Sequence, residues 1–558
     1  FTSVKQLPYD RERTHMHEFP MCEQCKNDYY DSLDRRFDAQ GITCSLCGPQ
    51  MSLYDKDRNR VETVDVFQSV AELFLEGKIL AVKGIGGIHL ASLATDSGVL
   101  EEFRRRKNRV YQPFAVMSPD LDSVKEYTYV NSEEERALSS WRKPIVLLKK
   151  KNRVISDLVA PGLDTVGVML PYTGIQTKIF KRLMAPALVM TSGNRRGLPM
   201  AITNEAAFDE LGELADYFLL HNREIVNRSD DSVIRIINGK NAFTRRSRGF
   251  VPDPIDIPFK RGIAIALGAE LRNAAAIAAN GKCFMTQYLG DITTLESLDF
   301  EKNAINRLRE LLNITCNSDV IACDLHPDYM TSHLGGMISQ ELDVDLVKSQ
   351  HHHAHIVSVA AEHEIDPEEE ILGLALDGAG YGQNGAIWGG EVLKTTFTDF
   401  ERVGHLEEIP MPGGDLCSYY PFRMLISALT KVISDDEIRD ITGNHVMKAL
   451  PHGEIEQDLI LKQARQRDVI VTSSTGRILD SVSALLELCN YRNYEGEPAI
   501  RLEAFASKGD PNKVNYPIEI TEIDNKMILK TVNMLYNSFS CSIGRMSFSC
   551  EYDAYVIS

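Results

Sequence analysis

Three groups of residues have types and spacings suited to chemistry. The first is two cysteine pairs, Cys22-Glu-Gln-Cys25 and Cys44-Ser-Leu-Cys47, with eighteen residues between them. Two CxxC knuckles at that separation can close a tetrahedral thiolate site around Zn²⁺, and Gly48-Pro49 suits the knuckle turn. A four-sulfur site has no open position, so its role is structural. The second group is Gln350-His351-His352-His353-Ala354-His355, followed by Leu376-Asp377-Gly378-Ala379-Gly380-Tyr381-Gly382. On a helix, His351 and His355 share one face. Two imidazoles and a strand-end carboxylate make a metal site, and the glycines would let a phosphate approach the backbone. The third group is cationic. Arg104-Arg105-Arg106-Lys107-Asn108-Arg109 and Arg245-Arg246-Ser247-Arg248 accompany a hydroxyl and an amide in Thr191-Ser192-Gly193-Asn194. Lys and Arg in such company suit a triphosphate or pyrophosphate.

Each group also has a plainer reading. The histidines could be a polar surface patch, and residues 104–109 a solvated helix face. The other seven cysteines (Cys283, Cys316, Cys323, Cys417, Cys489, Cys541, Cys550) form no ligand spacing and read as small buried apolar residues.

The elements around these groups are predicted as follows. Val66 to Glu76 is an amphipathic helix. Ile79 to Lys83 is a strand leading into Gly84-Ile85-Gly86-Gly87, a weak signal when alone. Pro113 to Met117 is a strand, and Ala187 to Met190 carries Ser192 and Asn194 to a strand end, where open α/β sheets bind ligands. Gly262 to Leu267 and Ala274 to Ala278 form a hairpin-like start to a new unit, followed by a helix over 300–312 and a strand over 320–324. Ile371 to Leu376 is predicted to be a buried strand that stops at an acid and a glycine turn.

Composition bounds the function. A chain of 558 residues needs about three or four cores. With 43% hydrophobic and 25% charged residues it is an ordinary globular protein. The net charge of −18 argues against broad binding to nucleic acid or anionic membrane. No apolar run has transmembrane length and no signal peptide is visible. Eleven cysteines in that context point to a reducing, cytoplasmic setting. The chain opens on Phe1 rather than Met, so the natural amino terminus is expected upstream.

Specific motifs now resemble known families. Ala81 to Leu90, Arg106 to Arg109 with Pro113 to Met117, Met190 to Asn194, Leu220-His-Asn-Arg223 and Asn227 to Asp231 look like a YrdC-like domain. Such domains activate a carboxylate or carbamate with ATP and Mg²⁺, giving an acyl-adenylate and pyrophosphate. The resemblance implies that Lys83, Lys107, Arg109, Ser192, Asn194 and Arg248 line the nucleotide pocket. Gln112 stands where that family usually has Lys. From residue 262 onward, the entry hairpin, the His351 run, Asp377-Gly378, Pro412-Gly413-Gly414-Asp415, Thr472 to Arg477 and Tyr494-Glu-Gly496 resemble a TsaD-like carbamoyl-transfer domain on an actin-like (ASKHA) core. This implies a divalent metal on His351, His355 and Asp377. It also implies a nucleotide against Gly378, Gly380, Gly413, Gly414 and Asp415.

The order is a zinc module (1–60), a YrdC-like α/β domain (61–257) and a TsaD-like domain (258–558). It resembles the HypF-type carbamoyltransferases of nickel–iron hydrogenase maturation over residues 6 to about 505. The resemblance implies that carbamate, released from carbamoyl phosphate, becomes carbamoyl-adenylate. The carbamoyl group then passes to the carboxy-terminal cysteine of a HypE-type partner, whose thiocarboxamide yields the hydrogenase cyanide ligand. That family also carries an acylphosphatase domain and a first zinc module before this stretch. After it come a Ser-Gly-Gly-Val loop and an Asp-Gly-Gly motif; none of the four is found here. The alternatives are a small-molecule O-carbamoyltransferase, disfavoured by the cysteine module; a threonylcarbamoyl enzyme of tRNA, disfavoured by the charge; and an inactive partner-binding remnant.

Overall fold

The computed structural model describes residues 1–314, 318–510 and 517–543. Three mixed sheets carry the architecture. The first has ten strands, with Leu80–Lys83, Ile88–Leu93, Leu188–Ser192, Ala115–Met117 and Thr165–Met169 among its inner members. Its central strands are buried from end to end, as near-continuous apolar runs require. Helices close both faces around Phe103, Phe114, Phe218 and Tyr127 on one side and Phe74, Leu53 and Met117 on the other. The cysteine-bearing segment joins this sheet directly: Met51–Asp55 pairs antiparallel with Tyr217–His221 at the sheet edge.

The helices begin where the sequence supplies oxygen caps. Asp65 accepts from the amides of Phe67 and Gln68 ahead of Val66–Leu75, and Asp96 accepts from Gly98 and Val99 ahead of Ser97–Arg106. Gln350 caps His351–Glu362 by accepting from His352 and His353. The Gln350 side chain also donates to the Tyr381 carbonyl, which fixes this helix to a strand of another sheet.

The second sheet has six strands. The predicted hairpin forms, Ile263–Ala266 lying antiparallel to Ala276–Ala279, and Val320–Asp324 pairs parallel with Ile263–Ala266. The third sheet has seven strands and holds Ile371–Tyr381 and Ile387–Thr395. Behind it lies a helical core of Phe422, Met424, Ile426, Leu429 and Ile460.

One strand departs from its prediction. Ile371–Tyr381 does not stop at a glycine turn; it runs through Asp377-Gly378-Ala379-Gly380 with a shift of register between Leu376 and Gly380. Nor is it buried on both faces: Leu372, Leu374 and Leu376 are 69%, 68% and 65% exposed. The helix His351–Glu362 covers the other face only, where Ile356 presses on Gly373. A period-2 strand covered on one side leaves alternate residues outside. Of the remaining cysteines, Cys323, Cys417 and Cys489 are buried and Cys283 partly so. Cys316 and Cys550 lie outside the described residues, as does the side chain of Cys541. No helix among the described residues is long and apolar enough to cross a membrane.

Candidate functional site

Three sites emerge. In the first, the thiol sulfurs of Cys22, Cys25, Cys44 and Cys47 all lie within 4.8 Å of one another. The Cys22–Cys44 and Cys44–Cys47 separations are both 3.7 Å. A tetrahedron with Zn–S bonds of about 2.3 Å requires S···S distances of about 3.8 Å. The donor set therefore fits zinc in size as well as in kind.

The second site is a cavity of about 830 Å³. Lys107, Arg109, Thr191, Ser192, Asn194 and Arg245 line it from the ten-stranded sheet, and Arg272, Tyr288, Asp291 and Tyr494 from the carboxy-terminal half. Lys107 follows directly on the helix Ser97–Arg106 and reaches across to the strand end. Its amine donates to the Ser192 carbonyl at 2.7 Å, the Asn194 carbonyl at 3.0 Å and Asn194 Oδ1 at 3.2 Å. Arg109 donates to Thr191 Oγ1 and the Pro113 carbonyl and lies over the Phe114 ring. None of these partners is a carboxylate. Burial, reinforced by Arg109, therefore pulls Lys107 down to about 7; burial and Arg104 pull Arg109 down to about 9. Cations dehydrated without a hydrogen-bonded carboxylate, with only Asp230 acting on them from a distance, are poised for an anionic ligand.

The rest of the basic sequence is used otherwise. Arg104 is buried and donates to the carbonyls of Leu158, Val159, Arg109, Val110 and Gln112. Arg105 and Arg106 pair with Glu102. Two residues predicted for the pocket lie outside the cavity lining. Arg248 is neutralised by Asp231 at 2.6 Å and faces the ring of Tyr172. Lys83 donates to Asn204 and the His221 carbonyl, and burial with Arg223 nearby lowers it to about 8. Arg245, beside Asp230 and over Tyr288, does reach the cavity.

The third site is the cleft between the second and third sheets. His351 Nε2 stands 3.0 Å from Asp377 Oδ2 and 3.2 Å from His355 Nε2, and His355 Nε2 is 3.7 Å from the same carboxylate. Donors of this kind and spacing fit a divalent transition metal. The other nitrogen of His351 bonds to Asp324 Oδ2 at 2.8 Å. Burial alone would lower His351, but the two carboxylates raise it to about 9. His352 is fully buried near Trp388, and His353 bonds to the Thr396 carbonyl, so neither reaches the cluster. Tyr329 is pushed up to about 12 by burial and by the carboxylates of Asp324, Glu270, Asp377 and Asp415, which draw together around it. Asp415 follows the left-handed turn of Gly413 (φ 83°) and Gly414 (φ 57°). Gly378 has open space at its α-carbon face, with Arg477 nearest at 3.9 Å. Gly380 does not: a Cβ there would lie 2.4 Å from His352 and 2.8 Å from His351. It serves the close approach of the helix to the strand, leaving no room for a phosphate.

Comparison with known proteins assigns these parts. Residues 21–54 match the HypF finger, and residues 72–247 the Sua5/YciO/YrdC model described as telomere recombination. Residues 260–362 match the HypF Kae1-like domain, and residues 373–546 the second subdomain of the carbamoyltransferase Kae1-like domain. The probable carbamoyltransferase HypF of Methanocaldococcus jannaschii is 42% identical over 95% of this chain and 74% of its own length. The chain belongs to the HypF family of carbamoyltransferases. The Synechocystis carbamoyltransferase HypF is 37% identical over 94% of the chain and 69% of its own. The crystal structure of T. kodakarensis HypF superposes with a TM-score of 0.93 at 44% identity, covering 99% of this chain and 72% of that one. Full-length HypF in a phosphate- and nucleotide-bound form gives 0.90 at 36%, covering 99% and 70%.

Likeness to HypF extends farther than the recognisable motifs, which fade near residue 505, because the second-subdomain match reaches residue 546. The sequence reading missed Asp324, which comes from a strand 27 residues before His351. Its signal was present: Val320 to Asp324 ends in an acid just as the apolar run before Asp377 does.

Two outcomes are expected. Cys44→Ser should abolish zinc retention, measured as metal content after gel filtration; full zinc in the variant would show the cluster is not the ligand set. Asp324→Asn should weaken Mn²⁺ binding about 10–100-fold, the usual cost of losing the carboxylate behind a ligating imidazole. Calorimetry on zinc-loaded protein would detect it, and an unchanged affinity would leave Asp324 without that role.

Proposed function

We propose that this chain activates carbamate with ATP in the Lys107–Arg109 cavity and transfers the carbamoyl group in the His351–Asp377 cleft. The acceptor is the carboxy-terminal cysteine of a HypE-type protein, and the product serves hydrogenase maturation in the cytoplasm. The observation that carries the reading is a set of buried cations held by carbonyls and hydroxyls, facing a cavity large enough for a nucleotide. The family's nucleotide-bound member supports the same ligand class.

In the first step a carbamate oxygen attacks the α-phosphorus of ATP and pyrophosphate leaves, its charge offset by Mg²⁺, Lys107, Arg109 and Arg245. Ser192 and Asn194 fix the position of Lys107 at the strand end. In the second step the acceptor thiolate attacks the carbamoyl carbon and AMP departs, the thiol proton passing to solvent. His351, His355 and Asp377 would hold a divalent metal, which would supply Lewis-acid polarisation there. Asp324 orients His351 for that duty. Carbamoyl-adenylate is labile in water, so the enclosure of the cavity by both halves of the chain suits it. The loop Gly268–Asn273 joins the two places: Glu270 faces the metal cleft, and Arg272 lines the cavity.

Wild-type protein should catalyse carbamate-dependent exchange of pyrophosphate into ATP. Lys107→Met should reduce exchange at least 100-fold while zinc content stays full. Absence of exchange in zinc-loaded wild-type protein would overturn the adenylation step.

A further inference from the structure

The motif Tyr494-Glu495-Gly496 follows the third sheet's helices and belongs to the Kae1-like half of the chain, yet its first residue lines the cavity of the YrdC-like half. Tyr494 is 9% exposed and lines the cavity together with Arg109. Its hydroxyl is buried and has no hydrogen-bond partner in the described residues. A buried hydroxyl is costly to leave unmatched, and such orphans call for an explanation.

The neighbours hold Tyr494 in place. The Arg196 guanidinium donates to the Asn493 carbonyl at 3.3 Å, and Arg272 pairs with Glu495 at 2.7 Å. The fully buried Glu497 accepts from the Asn493 amide at 2.6 Å and pairs with Arg501 at 2.9 Å. Arg501 in turn lies 4.4 Å over the ring of Tyr111, on the YrdC-like side. The backbone on either side of Tyr494 is therefore tied to both halves, and the residue lines the cavity that also holds Lys107 and Arg109.

We propose that Tyr494 is a substrate-contacting residue of the adenylating pocket, donating its hydroxyl to the phosphate-bearing ligand that Lys107 and Arg109 attract. The pocket is then complete only when the Kae1-like half is docked on the YrdC-like half. This rests on the reading that the cavity takes ATP. A phenol suits the task because it can donate to an oxyanion without adding charge to a site already crowded with cations.

The test is calorimetric titration of Mg-ATP into the full zinc-loaded chain as wild type, Lys107→Met and Tyr494→Phe. Phenylalanine keeps the ring packing, and an unchanged melting temperature verifies it. Tyr494→Phe is expected to bind about tenfold or more weakly, the scale of a hydrogen bond to a charged group. If wild type binds, Lys107→Met binds more weakly and Tyr494→Phe matches wild type, Tyr494 makes no ligand contact and the inference falls; if Lys107→Met also matches wild type, the ATP lies elsewhere and the assignment of the cavity falls with it. If wild type does not bind at all, the assignment of the cavity to ATP falls, and this inference with it.

Discussion

One imidazole holds two sheets together. His351 engages Asp324 at the end of a strand in the second sheet and Asp377 within a strand of the third. The geometry of the cleft depends on that bridge. It sets the distance between the sheets, it places His355 one turn along the same helix, and it requires Gly380 beneath the rings, since any Cβ there would collide with them. The same contacts explain why His351 is so basic. Two anions face one ring, and they outweigh a burial that would otherwise keep it neutral. A metal ion at Nε2 would take the place of the proton there, so one geometry serves both states.

The cavity obeys the opposite rule. Several buried arginines are matched by a carboxylate: Arg248 by Asp231, Arg402 by Glu391, Arg477 by Asp480. Lys107 and Arg109 have only neutral acceptors. Burying charge without a bonded carboxylate is expensive, and at these two residues the cost falls beside an open cavity. A site built in this way selects for ligands that bring the missing negative charge.

The legible parts of the molecule were those whose chemistry is local in sequence. Cysteine knuckles and an i, i+4 histidine pair can be read from spacing, because the ligands of each lie on one turn or one helix face. The hairpin and central strands followed from apolar runs. What could not be read was set by tertiary contact. Asp324 becomes a partner of His351 only because two strands and a helix converge. Arg248 and Lys83 look like pocket cations until Asp231 and Asn204 are seen beside them. Arg104, at the head of the basic run, turns inward to donate to five carbonyls, which charge patterning alone does not reveal. The Ile371–Tyr381 strand read as buried because its leucines are apolar, yet only one of its faces meets the helix.

The depressed basicity of Lys107 has a thermodynamic consequence. At neutral pH the empty cavity holds this amine close to its half-protonated point. An anion arriving beside it restores the preference for the charged form, so occupancy and proton uptake are linked. Filling the cavity then draws a fraction of a proton from the buffer. The apparent affinity falls as pH rises above neutrality, and the heat of association depends on the ionisation enthalpy of the buffer used. A desolvated lysine thus makes the site respond to the acidity of its surroundings.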